Sequence, residues 1–370
     1  MRILFAGGGT AGHINPAIAV AKYLMKKDDK SQILFVGTEK GLETGLVPRA
    51  GFDIKYIDVL GFKRSISLRN ILAVFKAFTA YRQSVKIIKE FMPDAVIGTG
   101  GYVSGPVLAA AARRKIPTLI HEQNVSPGIT SMILSQMVDA VCISFSESEK
   151  KFKKAKRIEH TGNPLREELF SVTKAEAKVK LGLDSRPFIV AFGGSLGAKR
   201  LNEAIIELIN VLGKKADFQL LFATGEAQYK EVSGALKKRR ITDKTMPNIR
   251  LVPYIHNMAD VLAAADLVIA RAGAITISEL NALGKPSILI PSPNVTDNHQ
   301  EYNARALEKA GAAVVFTEDE LAGKTLAKAV SDLISDSERL AQMSKNSESM
   351  GIKNGTQKIY EIIEKMLEKK

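Results

Sequence analysis

The chain has 370 residues, of which 45% are hydrophobic and 25% are charged, and these values exclude a disordered or fibrous protein and favour two globular domains. Its 53 Lys and Arg against 39 Asp and Glu give a net charge of +14, which suits nucleic acid, an anionic membrane surface or phosphorylated small molecules. Tryptophan is absent and aromatic residues make up only 6%, so base-stacking platforms are poorly supported and we expect no nucleic-acid partner.

Two features concern the compartment. The single cysteine, Cys142, lies in an apolar run and cannot form an internal disulfide, which fits a reducing cytoplasm. The apolar run that begins the chain meets Gly7 and is too short for a signal peptide or a membrane span. We therefore expect a cytoplasmic protein with no export signal and no transmembrane helix.

Short β-branched runs alternate with segments of helical period, a pattern typical of βαβ units and a parallel sheet. In the first half the predicted strands are 2–6, 32–37, 54–59, 95–98, 118–121, 140–144 and 157–161, with helices that include 17–27, 68–91 and 103–114. In the second half the predicted strands are 188–192, 219–223, 249–252, 267–270, 287–290 and 313–316, with a helix at 199–212 and a last helix at 357–370. A charged stretch between Pro164 and Pro187 predicts the domain boundary.

The first glycine-rich turn, Gly7–His13, follows a predicted strand and precedes a helix. Such a turn lets the backbone approach a phosphate closely, but it also occurs as a tight turn that binds nothing. It lacks the Lys-Ser/Thr of a P-loop, and no clear ribose-binding acid follows the second strand, which disfavours a nicotinamide dehydrogenase. His13 is a candidate general base, and hydrogen bonding within the turn is its alternative role.

Two more polar turns of the first half, Gly98–Tyr102 and His121–Asn124, also lie at strand ends. Since the carboxyl ends of parallel strands meet at one edge of a sheet, the three turns are expected to converge on a single crevice. This convergence is harder to explain by packing than any one turn.

The second half has three comparable turns. Gly193–Ala198 opens a helix and suits a diphosphate. Arg271–Glu279 leaves a strand for a helix, where Glu279 could accept hydrogen bonds from two vicinal hydroxyls or simply help to cap the helix. The polar run Asp297–Asn303 offers amides for sugar hydroxyls. No Asp-x-Asp occurs in the sequence, so a bridging divalent ion has no obvious ligands and we expect chemistry that needs no metal and no other cofactor.

Together with Thr161–Arg166, these motifs resemble the MurG family, the bacterial N-acetylglucosaminyltransferases of glycosyltransferase family 28, in order and spacing up to residue 303. The resemblance implies an α/β GT-B fold, in which two Rossmann-like doubly wound domains face across a cleft. Residues 1–164 plus 350–370 would form the acceptor- and membrane-binding domain, closed by the C-terminal helix. Residues 165–349 would form the UDP-sugar donor domain.

The activity implied by the resemblance is inverting transfer of GlcNAc from UDP-GlcNAc to the C4 hydroxyl of MurNAc in undecaprenyl-diphospho-MurNAc-pentapeptide (lipid I), which gives lipid II for the cell wall. His13 is the expected catalytic base, with an acceptor-anchoring role as the alternative. The implied acceptor-binding residues are Thr10, His13, Tyr102 and Asn124. The implied donor-binding residues are Thr10, Ala11, Gly12, His13, Asn124, Arg166, Ser195, Ile255, Ala274, Ile275, Thr276, Glu279 and Gln300.

Within the implied donor site, Ile255 frames the uracil, Glu279 holds the ribose, Ser195 and Arg166 contact the diphosphate, and Gln300 binds GlcNAc. Three positions depart from the commonest family pattern. Ala11 stands in place of glycine, and Leu196 and Glu301 each stand in place of glutamine. Leu196 is for this reason left off the donor set.

The segment Gly61–Tyr81 carries apolar residues at helical spacing among basic ones, including Lys63, Arg64 and Arg69. On sequence alone a core-facing stripe with a solvated basic face is favoured. A lipid-linked acceptor favours instead an anionic membrane surface as the partner, with the protein peripheral on the inner face of the cell membrane.

Three rival functions remain open at this point. A different GT-B enzyme would use the same donor with another acceptor, a UDP-GlcNAc 2-epimerase would need no lipid, and a non-catalytic UDP-sugar sensor would need only the second-half turns. The presence of polar turns in both halves favours an enzyme with two substrates.

Overall fold

The protein is described by a computed structural model that covers residues 1–60, 68–194, 197–213, 217–242, 244–321 and 324–368, with the backbone alone for 68–74 and for Thr296. The chain divides into two compact units. Unit 1 comprises Met1–Leu165 and Ile352–Lys370, and unit 2 comprises Arg166–Gly351. These bounds lie close to the ones expected from the sequence.

Unit 1 is built on a seven-stranded parallel sheet of order β3-β2-β1-β4-β5-β6-β7. Its strands are β1 (Arg2–Gly7), β2 (Gln32–Gly37), β3 (Asp53–Tyr56), β4 (Ala95–Gly100), β5 (Thr118–Glu122), β6 (Ala140–Ile143) and β7 (Ile158–His160). Its helices are α1 (Ala11–Lys27), α2 (Glu43–Arg49), α3 (Leu68–Phe91), α4 (Ser104–Ala112) and α5 (Ile129–Leu134). The near-continuous apolar runs of β1, β4 and β6 follow from a sheet that is covered on both faces.

Two apolar layers flank this sheet. On one face, Val107 and Leu108 of α4 pack with Val96 and Ile120 of the sheet. On the other face, α1 packs together with the last helix of the chain, α14 (Gly355–Leu367), whose side chains at 359, 362 and 363 are buried there. The C-terminal helix therefore belongs to unit 1, which helical period alone could not determine.

Unit 2 has a six-stranded parallel sheet of order β10-β9-β8-β11-β12-β13. Its strands are β8 (Phe188–Phe192), β9 (Gln219–Ala223), β10 (Ile249–Val252), β11 (Leu267–Ala270), β12 (Ser287–Leu289) and β13 (Ala313–Val315). Its helices are α6 (Lys174–Leu181), α7 (Lys199–Leu212), α8 (Tyr229–Lys238), α9 (Met258–Ala264), α10 (Ala274–Ala282), α11 (His299–Lys309), α12 (Thr325–Ile334) and α13 (Ser337–Ser349).

Several element bounds differ from the sequence prediction. The first helix begins at Ala11 and not at 17, so Gly12 and Pro16 lie inside it. Both residue types are unfavourable in helix interiors, which is why the sequence pattern placed the start too late. The strand β3 ends at Tyr56 instead of 59, and α14 begins at Gly355 instead of 357. Within the described ranges, no helix is long and apolar enough to cross a bilayer.

Candidate active site

Each sheet reverses its strand order at one point, between β1 and β4 in unit 1 and between β8 and β11 in unit 2. In open parallel sheets, ligands bind beyond the carboxyl ends of the strands at such a point. The turns that leave β1 and β4 contain Gly7–His13 and Gly98–Tyr102. Those that leave β8 and β11 contain Gly193–Ala198 and Arg271–Gly273. The predicted glycine-rich turns therefore flank both reversal points.

His13 lies in the first turn of α1, half-buried, and its ring is fixed by the turn that precedes the helix. Nδ1 lies 3.1 Å from the carbonyl oxygen of Gly8 and 3.2 Å from Oγ1 of Thr10. A carbonyl oxygen can only accept a hydrogen bond, so we assign the proton of the neutral ring to Nδ1. The other nitrogen, Nε2, then carries the lone pair that a general base requires.

The turn after β4 makes room for this ring. Gly100 and Gly101 have φ of 108° and 78°, a region that favours glycine. A Cβ on Gly100 would lie 2.7 Å from Cδ2 and 3.0 Å from Nε2 of His13, and a Cβ on Gly101 would lie 2.5 Å from the Gly8 carbonyl oxygen. The two glycines are therefore required for the close approach of the β1 and β4 turns.

The end of β5 brings in the third turn. The buried carboxylate of Glu122 accepts hydrogen bonds from the backbone N–H of Asn124 at 3.0 Å and from its Nδ2 at 3.2 Å. The amide of Gln123 donates to the carbonyl of Thr99 at 2.8 Å, which ties this turn to the one after β4. The three first-half turns thus lie along one edge, with Asn124 held by Glu122.

His121 has a structural role. It is buried and lies 3.0 Å through Nε2 from the Gly162 carbonyl, so Nε2 is the protonated nitrogen, while Nδ1 accepts from Gln123. Burial lowers the pKa of His121 to about 4, so the ring is neutral at physiological pH. This histidine anchors the turn instead of exchanging protons.

Two further residues of this edge, Ser104 and Glu43, were not singled out by the sequence. The buried Ser104 hydroxyl lies 3.1 Å from the N–H of Gly100 and 2.8 Å from the carbonyl oxygen of Ala6, which links β1 and β4. Glu43 begins α2, and its side chain is fully buried beneath the turn after β1. The local signal for Glu43 was an acid shortly after Gly37 and Gly41 at a strand end.

In unit 2, the turn after β8 leads into α7. Gly197 has φ of 77°, and a Cβ there would overlap the carbonyl oxygen of Thr224, so only glycine fits. The first turn of α7 contains no acidic residue and begins with Lys199 and Arg200. Its N–H groups and basic side chains suit an anion. Ser195 and Leu196 lie outside the described residues.

The turn after β11 leads into α10, whose first turn consists of Ala274, Ile275 and Thr276 and contains no acid. Glu279 follows on the same helix, with its side chain 12% exposed. Its carboxylate lies 3.4 Å from the guanidinium of Arg166, which is 56% exposed. Burial raises the pKa of Glu279, and the charge of Arg166 opposes that rise. The predicted ribose and diphosphate residues are therefore direct neighbours.

The polar run before α11 has an unusual backbone. Asp297 and Asn298 have φ of 56° and 50°, and such left-handed residues are often found at functional sites. Oε1 of Gln300 accepts from the Ser292 N–H at 2.9 Å, so its Nε2 is the group left to donate to a ligand. Glu301 binds Asn298 and lies 3.6 Å from Arg305, so its carboxylate is engaged within this segment.

For two predicted site residues, Ile255 and Tyr102, the structure gives the position and the burial. Ile255 is buried in unit 2, between β10 and α9. Tyr102 is 55% exposed on the turn after β4. Arg271 belongs to the core of its turn: it donates to the carbonyls of Ile290 and Pro291 and pairs with Glu318.

Comparison with protein families gives a match for each of the two units. Residues 3–143 match the glycosyltransferase family 28 N-terminal domain, and residues 188–362 match the glycosyltransferase family 28 C-terminal domain. An Acetivibrio thermocellus protein is 53% identical over 371 aligned positions, which cover 100% of this chain and 99% of that protein. Its name is UDP-N-acetylglucosamine–N-acetylmuramyl-(pentapeptide) pyrophosphoryl-undecaprenol N-acetylglucosamine transferase.

Solved structures agree on the fold. The crystal structure of Acinetobacter baumannii MurG is 28% identical, with a TM-score of 0.79, and the match covers 98% of this chain and 99% of that one. The UDP-GlcNAc 2-epimerase of Neisseria meningitidis bound to UDP-GlcNAc is 16% identical with a TM-score of 0.67, over 99% and 100% of the two chains. At that identity the likeness concerns the fold alone.

Proposed function

This chain belongs to glycosyltransferase family 28, and on that basis we propose that it transfers GlcNAc from UDP-GlcNAc to lipid I, which forms lipid II for peptidoglycan synthesis. The observation that carries the proposal is the 53% identity, over the whole chain, to a transferase named for this reaction. The two reversal points, each flanked by glycine-rich turns, are consistent with an enzyme that handles two substrates.

The reaction inverts the anomeric centre. The C4 hydroxyl oxygen of MurNAc attacks C1 of the α-linked GlcNAc, the bond from C1 to the phosphate oxygen breaks, and UDP leaves. The hydroxyl proton must go to a base, and negative charge grows on the departing diphosphate. Nε2 of His13 is our proposed proton acceptor, because the Gly8 carbonyl holds the proton of the neutral ring on Nδ1.

The donor contacts that we propose lie largely in unit 2. Arg166, Ser195 and the first turns of α7 and α10, with Ala274, Ile275 and Thr276, would hold the diphosphate. Glu279 would accept from the ribose hydroxyls, Gln300 would donate through Nε2 to GlcNAc, and Ile255 would meet the uracil. From unit 1, Thr10, Ala11, Gly12, His13 and Asn124 complete the proposed donor set.

The acceptor contacts that we propose all lie in unit 1: Thr10, His13, Tyr102 and Asn124. The amide of Asn124 is positioned by the Glu122 carboxylate and the phenol of Tyr102 is exposed, so both could meet sugar hydroxyls. In this assignment unit 1 supplies the base and the acceptor contacts, and unit 2 supplies most donor contacts.

We also propose that the chemistry needs no metal ion. The positive groups near the proposed diphosphate position are the guanidinium of Arg166, the side chains of Lys199 and Arg200 and the N–H groups of two helix starts. Preorganised donors of this kind stabilise charge that develops on a leaving group. Transfer that persists at full rate in excess EDTA is the expected result, and restoration of a lost rate by added divalent ions would contradict it.

The acceptor is lipid-linked, so we propose that the protein works at the inner face of the cell membrane, bound through 61–81. On α3, Phe75 and Phe78 are 69% and 63% exposed, one helical turn apart, which favours a surface role for this part of the stripe over a core-facing one. The rest of the predicted stripe and the basic residues Lys63, Arg64 and Arg69 lie outside the described side chains. Apolar insertion with anionic attraction is the usual combination for peripheral binding.

The experiment that tests the proposed function is incubation of the full chain with labelled UDP-GlcNAc and a lipid I analogue in anionic vesicles. The expected product is a β-1,4-linked GlcNAc-MurNAc disaccharide on the lipid, with one UDP released for each bond formed. Bound UDP-GlcNAc without a disaccharide would overturn the proposal. Appearance of the C2-epimeric sugar would indicate an epimerase instead.

A further inference from the structure

The buried carboxylate of Glu43 is held by donors from two different turns. Its Oε2 accepts from the N–H of Gly9 at 2.9 Å. Its Oε1 accepts from the N–H of Thr38 at 2.8 Å and from the Thr38 hydroxyl at 2.9 Å. Among the described residues, no cation forms an ion pair with it, although the side chain is 0% exposed. Burial of a carboxylate is costly, and here the three hydrogen-bond donors offset that cost in place of a cation.

Three glycines form the space for this carboxylate. A Cβ on Gly8 would lie 2.5 Å from Oε1 of Glu43, and a Cβ on Gly37 would lie 2.5 Å from its Cγ. A Cβ on Gly41 would overlap the carboxylate itself. Glycines from the turns after β1 and β2 thus leave a niche that fits one carboxylate, which indicates a built position for Glu43.

The peptide group between Gly8 and Gly9 connects this niche to His13. Its N–H, on Gly9, donates to Glu43, and its carbonyl, on Gly8, accepts from Nδ1 of His13 at 3.1 Å. Hydrogen bonds in such a chain polarise one another, so a carboxylate on the N–H side makes the carbonyl a better acceptor. The arrangement is that of a carboxylate that orients an imidazole, with one peptide unit between them.

We propose that Glu43 is a positioning residue for His13. Through the Gly8–Gly9 peptide group, its carboxylate holds the ring with the proton on Nδ1 and stabilises the imidazolium that forms when Nε2 takes the acceptor proton. This inference rests on the proposed role of His13 as the base. Glu43 itself contacts neither substrate and accepts no proton.

The other titratable groups around His13 can be named. The first turn of α1 has no acidic residue. The turn after β4 contributes the exposed Tyr102, and the end of β5 contributes Glu122, whose carboxylate is engaged by Asn124 and Gly128. The turn after β2 contributes the exposed Glu39 and Lys40 beside the buried Glu43. Of the acids, Glu43 is the one hydrogen-bonded to the peptide that holds the ring.

The test is the pH profile of kcat/KM for Glu43→Gln. In the proposed arrangement the Glu43 carboxylate favours the protonated ring of His13, so its removal should move the acidic limb of the profile to lower pH. We expect a shift of about half to one pH unit, the order of magnitude for charges separated by a peptide unit in a partly buried site. The plateau rate should fall roughly tenfold, because the base is weaker and less well oriented.

A matched control is Glu39→Gln, which makes the same change of charge on the same turn at an exposed position. Its profile should superpose on that of the wild type. A second variant, Glu43→Asp, keeps the charge and should restore the position of the acidic limb in part. If wild-type protein forms the disaccharide and the acidic limb of the Glu43→Gln profile does not move, the proposed positioning role of Glu43 is wrong and the proposed function stands. If wild-type protein forms no disaccharide, the proposed function itself fails.

A measurement on the wild type keeps the proposal testable if Glu43→Gln does not fold. In ¹⁵N-labelled full-length protein, the neutral ring of His13 should carry its proton on Nδ1, and the Gly9 amide resonance should titrate with the same midpoint as His13. A neutral ring protonated on Nε2, or a Gly9 amide that does not respond to that titration, would overturn the proposed positioning role of Glu43.

Discussion

Unit 1 and unit 2 arrange their first six strands in the same order, but the turns at the carboxyl ends of the strands carry different side chains. In unit 1 the turns are tied together by buried polar side chains, Glu43, Ser104 and His121, and the half-buried His13 is held against two glycines. In unit 2 the turns present two helix starts without acids and an ion pair between the exposed Arg166 and the more buried Glu279.

This difference shows that two sheets with the same strand order can carry different functional side chains. A doubly wound sheet provides a ligand position at its reversal point, but the side chains on the turns decide what binds there. A rigid, hydrogen-bonded turn suits a base that must face one hydroxyl. Helix starts that carry basic side chains and no acids suit a diphosphate. We infer that unit 1 is specialised for proton transfer and unit 2 for donor binding, and the following predictions test that division.

The largest expected effect is on turnover, from His13→Ala. Loss of a general base lowers kcat about 10²- to 10⁴-fold, while UDP-GlcNAc affinity should change little because most proposed donor contacts lie in unit 2. Steady-state kinetics and calorimetric donor titration measure the two quantities. Asn15→Ala, an exposed position on the same helix, serves as the control and should leave both unchanged. Full turnover of His13→Ala with intact donor binding would refute the base assignment.

Much of the fold could be predicted from sequence, for a physical reason. Most strands of the two sheets are short apolar runs between glycine, proline or charged residues, whereas β3 and β7 are largely polar. The helices α3 and α7 have the predicted bounds because their apolar residues recur at helical period. The start of α1 was wrong because Gly12 and Pro16 argue locally against a helix. In the folded protein the helix starts early, and His13 in its first turn contacts Gly8 and lies close to Gly100. Local helix propensity does not include such contacts.

The next effect concerns the stability of unit 1 and its dependence on pH. The folded protein keeps His121 neutral down to a pKa of about 4, whereas the unfolded chain protonates it near 6.5. The unfolded state therefore binds more protons between these values, and the free energy of unfolding falls as pH falls from about 6.5 to about 4, by roughly 3 kcal/mol at most.

Denaturant unfolding across this pH range, followed by a probe in unit 1, measures the effect. A His121→Gln variant should show a flatter dependence on pH. The exposed His256 of unit 2 provides the control, since His256→Gln should keep the wild-type slope. Equal slopes for wild type and His121→Gln would contradict the structural role of this histidine.

A somewhat smaller effect is expected in unit 2 from Glu279→Gln. Hydrogen bonds to a charged group contribute about 1.5–3 kcal/mol, so UDP-GlcNAc should bind about ten- to hundredfold more weakly. Burial raises the pKa of Glu279, so as the pH is lowered this carboxylate becomes protonated earlier than an ordinary glutamate. The donor affinity of the wild type should therefore begin to fall at a higher pH than an ordinary glutamate would cause. Calorimetry over a pH series checks both.

The control for this variant is Glu338→Gln, at an exposed position on α13 of the same unit. It should bind the donor as the wild type does. An unchanged affinity of Glu279→Gln, or a lowered kcat at saturating donor with no loss of affinity, would place this carboxylate outside the donor site.

The smallest effects on the transfer reaction itself are expected from changes at the proposed membrane surface. Replacement of Phe75 and Phe78 by serine removes exposed apolar area and should reduce binding to anionic vesicles by roughly tenfold or more, because full burial of one Phe side chain contributes about 1.5–3 kcal/mol. Charge reversal of Lys63, Arg64 and Arg69 together should release the protein, most clearly at low salt. Vesicle co-sedimentation measures both, and a soluble acceptor analogue should still be used normally. Unchanged vesicle binding in both variants would contradict the proposed surface.

The candidate site was less predictable than the fold, because its contacts join residues that are far apart in sequence. Glu43 reaches the N–H of Gly9, and Arg166 reaches Glu279, only when the sheets are assembled. Sequence motifs located the turns, since glycine and polar residues mark strand ends. They could not show which side chain lies under which turn, or that Oε1 of Gln300 is used by the backbone of Ser292.

The division between the units is tested most directly by hydrogen exchange of the full chain with and without UDP. UDP lacks the sugar, so it should protect the amides at the reversal point of unit 2, in 193–198 and 273–279, and leave those of 7–13 in unit 1 unchanged. Protection centred on 7–13, with none in the unit 2 turns, would contradict the account.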